Sequence, residues 1–170
     1  MITFQKIKWK NFLSTGDHWS EIDFTGHTTN LVVGTNGSGK STMLDALTFA
    51  LFNKPFRKIT KSQLVNATNE KDCCVEVEFS VNNKDYLVRR SIKPNKFDIE
   101  VNGTLLHKEA DDRANQKILE ESILKVNYKS FTQIVILGSS SFVPFMQLST
   151  SNRRDCLLYT SDAADEKYRG

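Results

Sequence analysis

The sequence predicts an α/β fold organised around a phosphate-binding loop, and three observations predict it. Residues 34–41 read GTNGSGKS, which fits the G-x-x-x-x-G-K-[ST] pattern of nucleoside-triphosphate hydrolases. A short apolar run at residues 29–33 leads into this loop and predicts a strand. Apolar residues then recur at helical spacing from Met43 to Leu51. A strand before the loop and a helix after it favour a nucleotide site over a glycine-rich turn without a ligand.

Each residue type in the loop suits the binding of a polyphosphate together with Mg²⁺. The glycines let the backbone turn tightly and bring its N–H groups up to an anion. Lys40 supplies a positive charge to the β- and γ-phosphates, and the Ser41 hydroxyl can ligate Mg²⁺. The helix that follows points its positive end at the same anion.

The composition is that of an ordinary globular chain. Its 170 residues are 39% hydrophobic and 25% charged, with a net charge of +3, which is too small to indicate nucleic acid by itself. No apolar run reaches membrane-spanning length and no signal-like core begins the chain, so we expect a cytoplasmic protein with no membrane partner. The three cysteines and three isolated histidines predict neither a disulfide framework nor a metal site.

The other elements are predicted from alternation and turn signals. The helix behind the loop is expected to end near Phe52, since Pro55 cannot continue it. Residues 73–106 predict an antiparallel meander outside the nucleotide core, with Asn102-Gly103 as a tight hairpin. The remaining patterns predict strands at 2–10, 19–24 and 131–137, a helix at 111–126, and the first turn of a helix within 148–155.

Two groups of basic residues have no single interpretation. Arg89 and Arg90 are neighbours on a predicted strand, so they point to opposite faces and one of them could reach a phosphate. The other group follows the helix, and there both a phosphate contact and a plain solvated surface remain open. Its members are Lys54, Arg57, Lys58 and Lys61.

The order of these parts resembles one family. The sequences that carry the resemblance are Asn11-Phe12, the phosphate loop with LDAL at 44–47, KPFR at 54–57, QIVILG at 133–138 and PFMQLST at 144–150. They resemble the N-terminal segment of the SbcC-type DNA double-strand-break repair ATPases and, within them, the large subunits of T-even phage recombination endonucleases. The resemblance covers residues 2–155. It implies a P-loop NTPase fold of the ABC-ATPase type, with residues 1–155 as a truncated N-terminal lobe that carries an antiparallel β insert.

The resemblance also implies a function. In that family a coiled coil with a zinc-hook apex and a C-terminal lobe follow the N-terminal lobe, and ATP is held between two heads. The expected cofactors are ATP and Mg²⁺, and the expected partners are DNA, a nuclease subunit and a second copy of the head. Hydrolysis is expected of the complete protein, in a phage-infected bacterial cell, whereas this segment alone holds no catalytic residue and should be inactive.

The loop pattern and the resemblance together assign the cofactor-binding residues. Relatives also place a residue near the nucleotide where Lys10 and Asn11 stand here. A family glutamine that reaches the metal falls, by counting, on Ser139, while Gln133 lies six residues upstream, and which of the two takes that role stays open. The assigned loop residues are Gly34, Asn36, Gly37, Ser38, Gly39, Lys40, Ser41 and Thr42, with Ser41 as the Mg²⁺ ligand.

The last residues depart from the resemblance. From Cys156 to Gly170 the chain reads CLLYTSDAADEKYRG, which shows no heptad and resembles a translated sequencing adaptor. We therefore predict that residues 156–170 are not native.

Two other functions remain open at this stage. One is an SMC-like or RecF-like DNA clamp head, which would use ATP only to close a dimer. The other is a small-molecule phosphotransferase, against which stand the two predicted strands ahead of the loop strand and the lack of an evident lid motif.

Overall fold

The computed structural model describes residues 1–106, 112–136, 147–151 and 153–154. The chain forms two compact units, which divide between Asn115 and Gln116. A 3₁₀ helix at Lys61–Leu64 and a π-helix at Ile118–Leu124 complete the regular structure. The strands and α-helices are β1 (Ile2–Lys10), β2 (Ser20–Asp23), α1 (Thr42–Phe52), β3 (Cys73–Val81), β4 (Lys84–Ile92), β5 (Lys96–Val101), β6 (Thr104–Leu105), α2 (Asp112–Lys117) and α3 (Tyr128–Ile134).

All six strands join one antiparallel sheet in the order β2-β1-β3-β4-β5-β6. The predicted alternation sets its register, with Val77 opposite both Ile7 on β1 and Val88 on β4. The hairpin predicted at Asn102-Gly103 is confirmed, and both residues have the positive φ that such a tight turn needs.

One face of this sheet forms the core with α1. The side chains of Val75, Val77 and Phe79 on β3 are fully buried, and Phe49 on α1 is fully buried as well. The Arg90 Nε donates to the Ala50 carbonyl at 3.1 Å, which joins β4 directly to α1. The antiparallel meander was predicted correctly, but it is not separate from the helix of the phosphate loop as expected, because β3 pairs with β1 and β4 bonds to α1.

The opposite face carries a ladder of charges. Arg89 on β4 lies between two carboxylates, with 2.7 Å from its Nε to Glu76 on β3 and 3.6 Å from its Nη1 to Glu100 on β5. Lys8 on β1 lies 4.0 Å from Glu76 and 3.7 Å from Glu78. Four adjacent strands thus share alternating charges along their hydrogen-bonding direction.

The strand predicted at 29–33 is not formed. No described strand pairs with this segment, and Leu31, Val32 and Val33 are 87%, 41% and 78% exposed. A strand is stable only when a neighbour pairs its backbone N–H and C=O groups, and the six strands of the sheet pair among themselves. An apolar run alone could not show where its partner would come from.

The strand predicted at 131–137 was also wrong, since its described residues lie in and just after α3. Asn127 caps this helix, and its side chain accepts a hydrogen bond from the Ser130 N–H at 2.9 Å. The Thr132 hydroxyl donates to the Tyr128 carbonyl at 2.9 Å, so it has its hydrogen-bond partner within the helix. A local capping bond therefore outweighs the β-branched composition of this segment.

The remaining predictions are partly confirmed. The helix expected at 111–126 is present as α2 and the π-helix, which ends at Lys125 in the left-handed conformation. Residues 150, 151, 153 and 154 are helical, as expected, and Cys73 and Cys74 are free thiols on β3. Among the described residues, no helix has the length and apolar character that crossing a bilayer requires. The polar loop after residue 137, with Ser139, and the tail at 156–170 lie outside the described residues.

Candidate nucleotide-binding site

The predicted phosphate loop forms a tight turn that ends at the start of α1. Gly37 and Gly39 have φ values of 85° and 90°, a region that favours glycine over residues with a side chain. The Thr42 N–H donates to the Gly39 carbonyl at 2.9 Å, so the loop leads directly into the first turn of the helix. Ser41 occupies the N-cap position, yet its side chain makes no capping hydrogen bond. Ser41 is also one of the residues that line a cavity.

Lys40 bonds to the loop itself. Its Nζ donates to the Gly34 carbonyl at 2.6 Å and to the Thr35 carbonyl at 2.8 Å. These contacts hold the ammonium group at the loop, where a polyphosphate could accept the same hydrogen bonds in their place. Gly34 lies close to Ser38 in this loop, since a Cβ at position 34 would lie 2.5 Å from the Ser38 Oγ unless the serine side chain rotated away.

A cavity of about 490 Å³ adjoins the loop. Half of its lining residues belong to the predicted phosphate loop and the start of α1, namely Asn36, Gly37, Gly39, Lys40, Ser41 and Thr42. The other half were not predicted to bind the cofactor, namely Leu13, Ser14, Arg57, Gln63, Val65 and Ala67. The predicted loop residues Gly34 and Ser38 are absent from the lining.

Arg57 is the member of the basic group that lines the cavity. Asp45 on α1 holds it in place, because this fully buried carboxylate accepts from the Arg57 backbone N–H at 2.9 Å and from its Nε. Lys61 lies elsewhere, with its Nζ 5.8 Å from the centre of the Phe49 ring, and burial lowers the pKa of its ammonium group. The basic residues of this segment therefore have different surroundings, and the one that lines the cavity, Arg57, is held there by the buried Asp45.

Neither arginine of β4 lies at the cavity. Arg90 is buried, with its guanidinium carbon 3.7 Å from the centre of the Phe97 ring. Arg89 belongs to the charge ladder, and its hydrogen bond to Glu76 raises the pKa of its guanidinium. The two side chains do point to opposite faces, as predicted, but both serve the sheet.

The structure places Lys10 and Asn11 beside the cavity and not in its lining. The Lys10 Nζ lies 5.3 Å from the centre of the Trp19 ring. Asn11 is buried, where its Nδ2 donates to Asp17 at 3.2 Å and its Oδ1 accepts from Asn69 at 2.6 Å. The neighbouring Leu13 and Ser14 line the cavity instead.

Gln133 lies on α3, in the second unit. Its Oε1 is buried and has no hydrogen-bond partner among the described residues. The choice between Gln133 and Ser139 stays open, because Ser139 is outside the described part of the chain.

Comparisons with known proteins agree with this geometry. The model of a family described as "AAA domain" matches residues 6–168, so the match runs into the predicted non-native tail. The chain is similar to exonuclease subunit 2 of Enterobacteria phage T4, with 44% identity over 149 residues that cover 88% of this chain and 26% of that protein. The corresponding protein of Escherichia phage RB69 is 43% identical, again over 88% of this chain and 26% of that protein. The chain thus spans about a quarter of the length of these relatives.

More distant relatives and solved structures show the same fold. A DNA double-strand break repair Rad50 ATPase of Sulfolobus acidocaldarius is 28% identical over 81% of this chain and 15% of its own length. A structure from a study of ATP-driven dimerization and DNA-stimulated activation of SMC ATPases superposes with a TM-score of 0.61 at 22% identity, over 93% of this chain and 99% of that one. The Smc head domain of Pyrococcus furiosus superposes with a TM-score of 0.54 at 25% identity, over 75% of this chain and 34% of that one. The predicted fold class is confirmed: an α/β P-loop NTPase of the ABC-ATPase type with an antiparallel β insert.

Proposed function

The chain belongs to the AAA domain family, and from that membership we propose that it is the ATP-binding N-terminal lobe of an ATPase head that serves DNA repair and recombination. The observation that carries the proposal is the cavity of about 490 Å³, which is lined in part by the phosphate loop and the start of α1. The names of its relatives, an exonuclease subunit of two phages and a double-strand break repair ATPase, indicate the process. In the complete protein the head would hydrolyse ATP and control a partner nuclease at DNA ends.

The residues at the cavity fit ATP and Mg²⁺. Lys40 donates hydrogen bonds to two carbonyl oxygens, and the oxygens of a β- or γ-phosphate can accept these bonds instead. The N-terminus of α1 favours negative charge at the same place. Ser41 and Thr42 are among the residues that line the cavity, and the oxygen of a hydroxyl side chain is a hard ligand of the kind that Mg²⁺ accepts.

The chemistry expected of the complete head is attack of water on the γ-phosphate, for which bound Mg²⁺ would supply charge neutralisation. This chain's own part is to bind and orient. The backbone N–H groups of the loop and Lys40 would fix the phosphates, and Ser41 would position the metal. A general base is not among the residues of the cavity lining, so we propose that this chain holds one half of a composite site.

The exposed segment at Leu31–Val33 supports this view. Three consecutive exposed apolar residues directly before the phosphate loop suit a strand whose neighbours belong to another part of the protein. We propose that residues 1–155 form the N-terminal lobe, that this segment pairs with a C-terminal lobe, and that residues 156–170 are not native. The heads would act as dimers, with DNA and a nuclease subunit as partners.

A nucleotide-binding measurement on the 170-residue chain tests the proposal. With Mg²⁺ present, calorimetry should show ATP binding that Lys40→Ala weakens by about 10- to 100-fold, since a charge-assisted phosphate contact is lost. Lys58→Ala, which removes an equal charge outside the cavity lining, should change the affinity less than about twofold. Equal losses in both variants would show a nonspecific charge effect and would contradict the proposed site. Steady ATP hydrolysis by this chain alone, abolished by Lys40→Ala, would contradict the half-site.

A clamp head that uses ATP for closure is the second candidate. The superposition on SMC heads favours it, since those structures are described in terms of ATP-driven dimerization and of binding a protein named ScpA. Hydrolysis by the complete protein that is not required for nuclease activity would favour the clamp. Loss of nuclease activity together with hydrolysis would favour the repair ATPase.

A further inference from the structure

Two loops contribute lining residues of the cavity in addition to those of the phosphate loop, and we call these residues its wall. The loop that follows β1 contributes Leu13 and Ser14, and the segment that follows the 3₁₀ helix contributes Val65 and Ala67. The two loops are 53 residues apart in sequence where Asn66 meets Leu13. Their relative position therefore depends on contacts that join them, and not on the chain between them.

Asn66 supplies several of these contacts, beside the bond of 2.7 Å from the Leu13 N–H to the Leu64 carbonyl and the β-bridge between Phe12 and Val65. Its Nδ2 donates to the carbonyls of Leu13 at 3.0 Å and of Thr15 at 3.1 Å, on either side of Ser14. Its Oδ1 accepts from the N–H groups of Thr68 at 2.9 Å and of Asn69 at 3.0 Å, which fixes its own loop. The side chain thus uses both donor hydrogens and both lone pairs of the oxygen, which is the full capacity of an amide.

The backbone of Asn66 adds to the connection. Its N–H donates to the Asn11 carbonyl at 2.9 Å, and its carbonyl accepts from Glu70 at 2.9 Å. The residue is 8% exposed, so little water is available to replace any of these bonds. Its two sequence neighbours, Val65 and Ala67, both line the cavity.

Replacing the Asn66 amide would remove these bonds. A carboxylate in its place would put a negative oxygen against the Leu13 and Thr15 carbonyls, where two N–H groups now donate. Alanine would leave two carbonyls and two N–H groups without their side-chain partners in a part-buried place. Glutamine would displace the amide by one methylene.

From this geometry we infer that Asn66 is a positioning residue for the nucleotide site, which fixes the Leu13–Ser14 and Val65–Ala67 wall for the part of the nucleotide beyond its phosphates. This rests on the proposed ATP binding. The wall carries the apolar side chains of the cavity, Leu13, Val65 and Ala67, which suit a nucleoside, while the charged and hydroxyl groups around Lys40 suit its phosphates. The hydrogen bonds of the Asn66 side chain go to backbone groups of the two wall loops, so its effect on the nucleotide would be exerted through the position of those loops.

Competition binding on the 170-residue chain distinguishes an effect on the nucleoside wall from an effect on the phosphate loop. ATP and inorganic tripolyphosphate each displace a fluorescent ATP analogue, with Mg²⁺ present, from the unaltered chain and from Asn66→Ala, Asn66→Asp and Lys40→Ala. We expect both Asn66 variants to weaken ATP by about tenfold and tripolyphosphate by less than about twofold, since only the wall is loosened. Lys40→Ala should weaken both ligands, because both depend on the phosphate loop.

A matched control separates positioning from general loss of stability. Asn102 also bonds to backbone, by accepting from the Asp85 N–H at 2.9 Å, but in a hairpin of the sheet. Asn102→Ala should lower the thermal midpoint without changing the ratio of the ATP and tripolyphosphate affinities. If Asn66→Ala does not fold, amide exchange on the unaltered chain gives the answer. ATP should then protect the N–H groups of Thr68 and Asn69, and tripolyphosphate should not.

The outcomes distinguish the two proposals. If Lys40→Ala weakens both ligands while Asn66→Ala weakens them equally or not at all, the positioning role is refuted and the ATP site stands. Equal protection of Thr68 and Asn69 by both ligands has the same meaning. If Lys40→Ala changes neither affinity, the ATP site is refuted and the positioning role with it.

Discussion

The buried contact between Asp45 and Arg57 gives the sharpest test of how α1 shapes the cavity. The Asp45 side chain is 0% exposed and the Arg57 side chain is 47% exposed, so the pair is unequal. Removing the acid leaves a guanidinium that water can reach, together with one backbone N–H that has lost its partner. Removing the arginine side chain leaves a carboxylate that water cannot reach.

The expected losses in the free energy of unfolding follow from this difference in exposure. Asp45→Ala should lower the free energy of unfolding by about 2 kcal/mol, the cost of one orphaned N–H and one lost charge-assisted bond after discounting for exposure. Asp45→Asn keeps an acceptor for the Arg57 N–H and should cost about 1 kcal/mol. Arg57→Ala should cost about 3 kcal/mol, since it strands a buried charge.

A double-mutant cycle in urea measures these values, with Trp9 as the fluorescent reporter because it is buried in β1. The variant Asp45→Ala/Arg57→Ala should be no less stable than Arg57→Ala alone, because the stranded carboxylate is absent from it. Salt at 1 M should change the coupling little, since the acid is buried. Strictly additive losses, or a loss under about 0.5 kcal/mol for Asp45→Ala, would refute this account.

Two further predictions concern the cysteines and the loop glycine. Burial raises the pKa of the Cys73 thiol to about 12 and that of Cys74 to about 11, whereas unfolded thiols ionise near 9.0, so the unfolded chain releases protons first and stability should fall above pH 9. The free energy of unfolding, measured by urea titration between pH 8 and 10.5, should fall as the pH rises, and Cys73→Ala/Cys74→Ala should reduce that dependence on pH. The same dependence in the double variant would contradict this prediction. Gly34→Ala should weaken ATP binding only about twofold, since its Cβ would lie 2.5 Å from the Ser38 Oγ and a rotation of that side chain relieves the clash, and Ser38→Ala should recover the loss. Gly16→Ala, which meets no atom within 4 Å, is the control, and equal losses in both alanine variants would argue against the steric cause.

The parts of the fold that depend on local signals could be predicted from the sequence. The phosphate loop, α1 and the strands of the meander follow from a motif, a helical period and strict alternation, and the structure has all of them. The segment at 29–33 shows the limit of such signals. Its apolar residues predict a strand, but pairing is a property of the neighbour, and no described strand supplies one.

The wall of the cavity was missed for a related reason. Leu13, Val65 and Ala67 are ordinary residues whose role depends on two loops that meet only in the fold. Two local signals were nevertheless present. Thr60 and Gln63 form a capping box that starts the 3₁₀ helix, and Asn66 precedes a turn whose N–H groups it binds. Asn127 gave a third signal, the cap of α3, which should have outweighed the apolar run that follows it.

The charge ladder and the apolar face of the sheet differ in how far they specify the register of its strands. Shifting β4 by one residue against β3 would bring Arg90 across from Glu76 and turn Arg89 toward the apolar side. The adjacent arginines would thus give Glu76 a cation in either register, so the charges do not select between the two registers. The apolar residues make that selection, because the shift would also turn Val88, which is fully buried on the core face, toward the charged face. The ladder lies on a half-buried face and adds modestly to the stability of a register that the apolar face specifies.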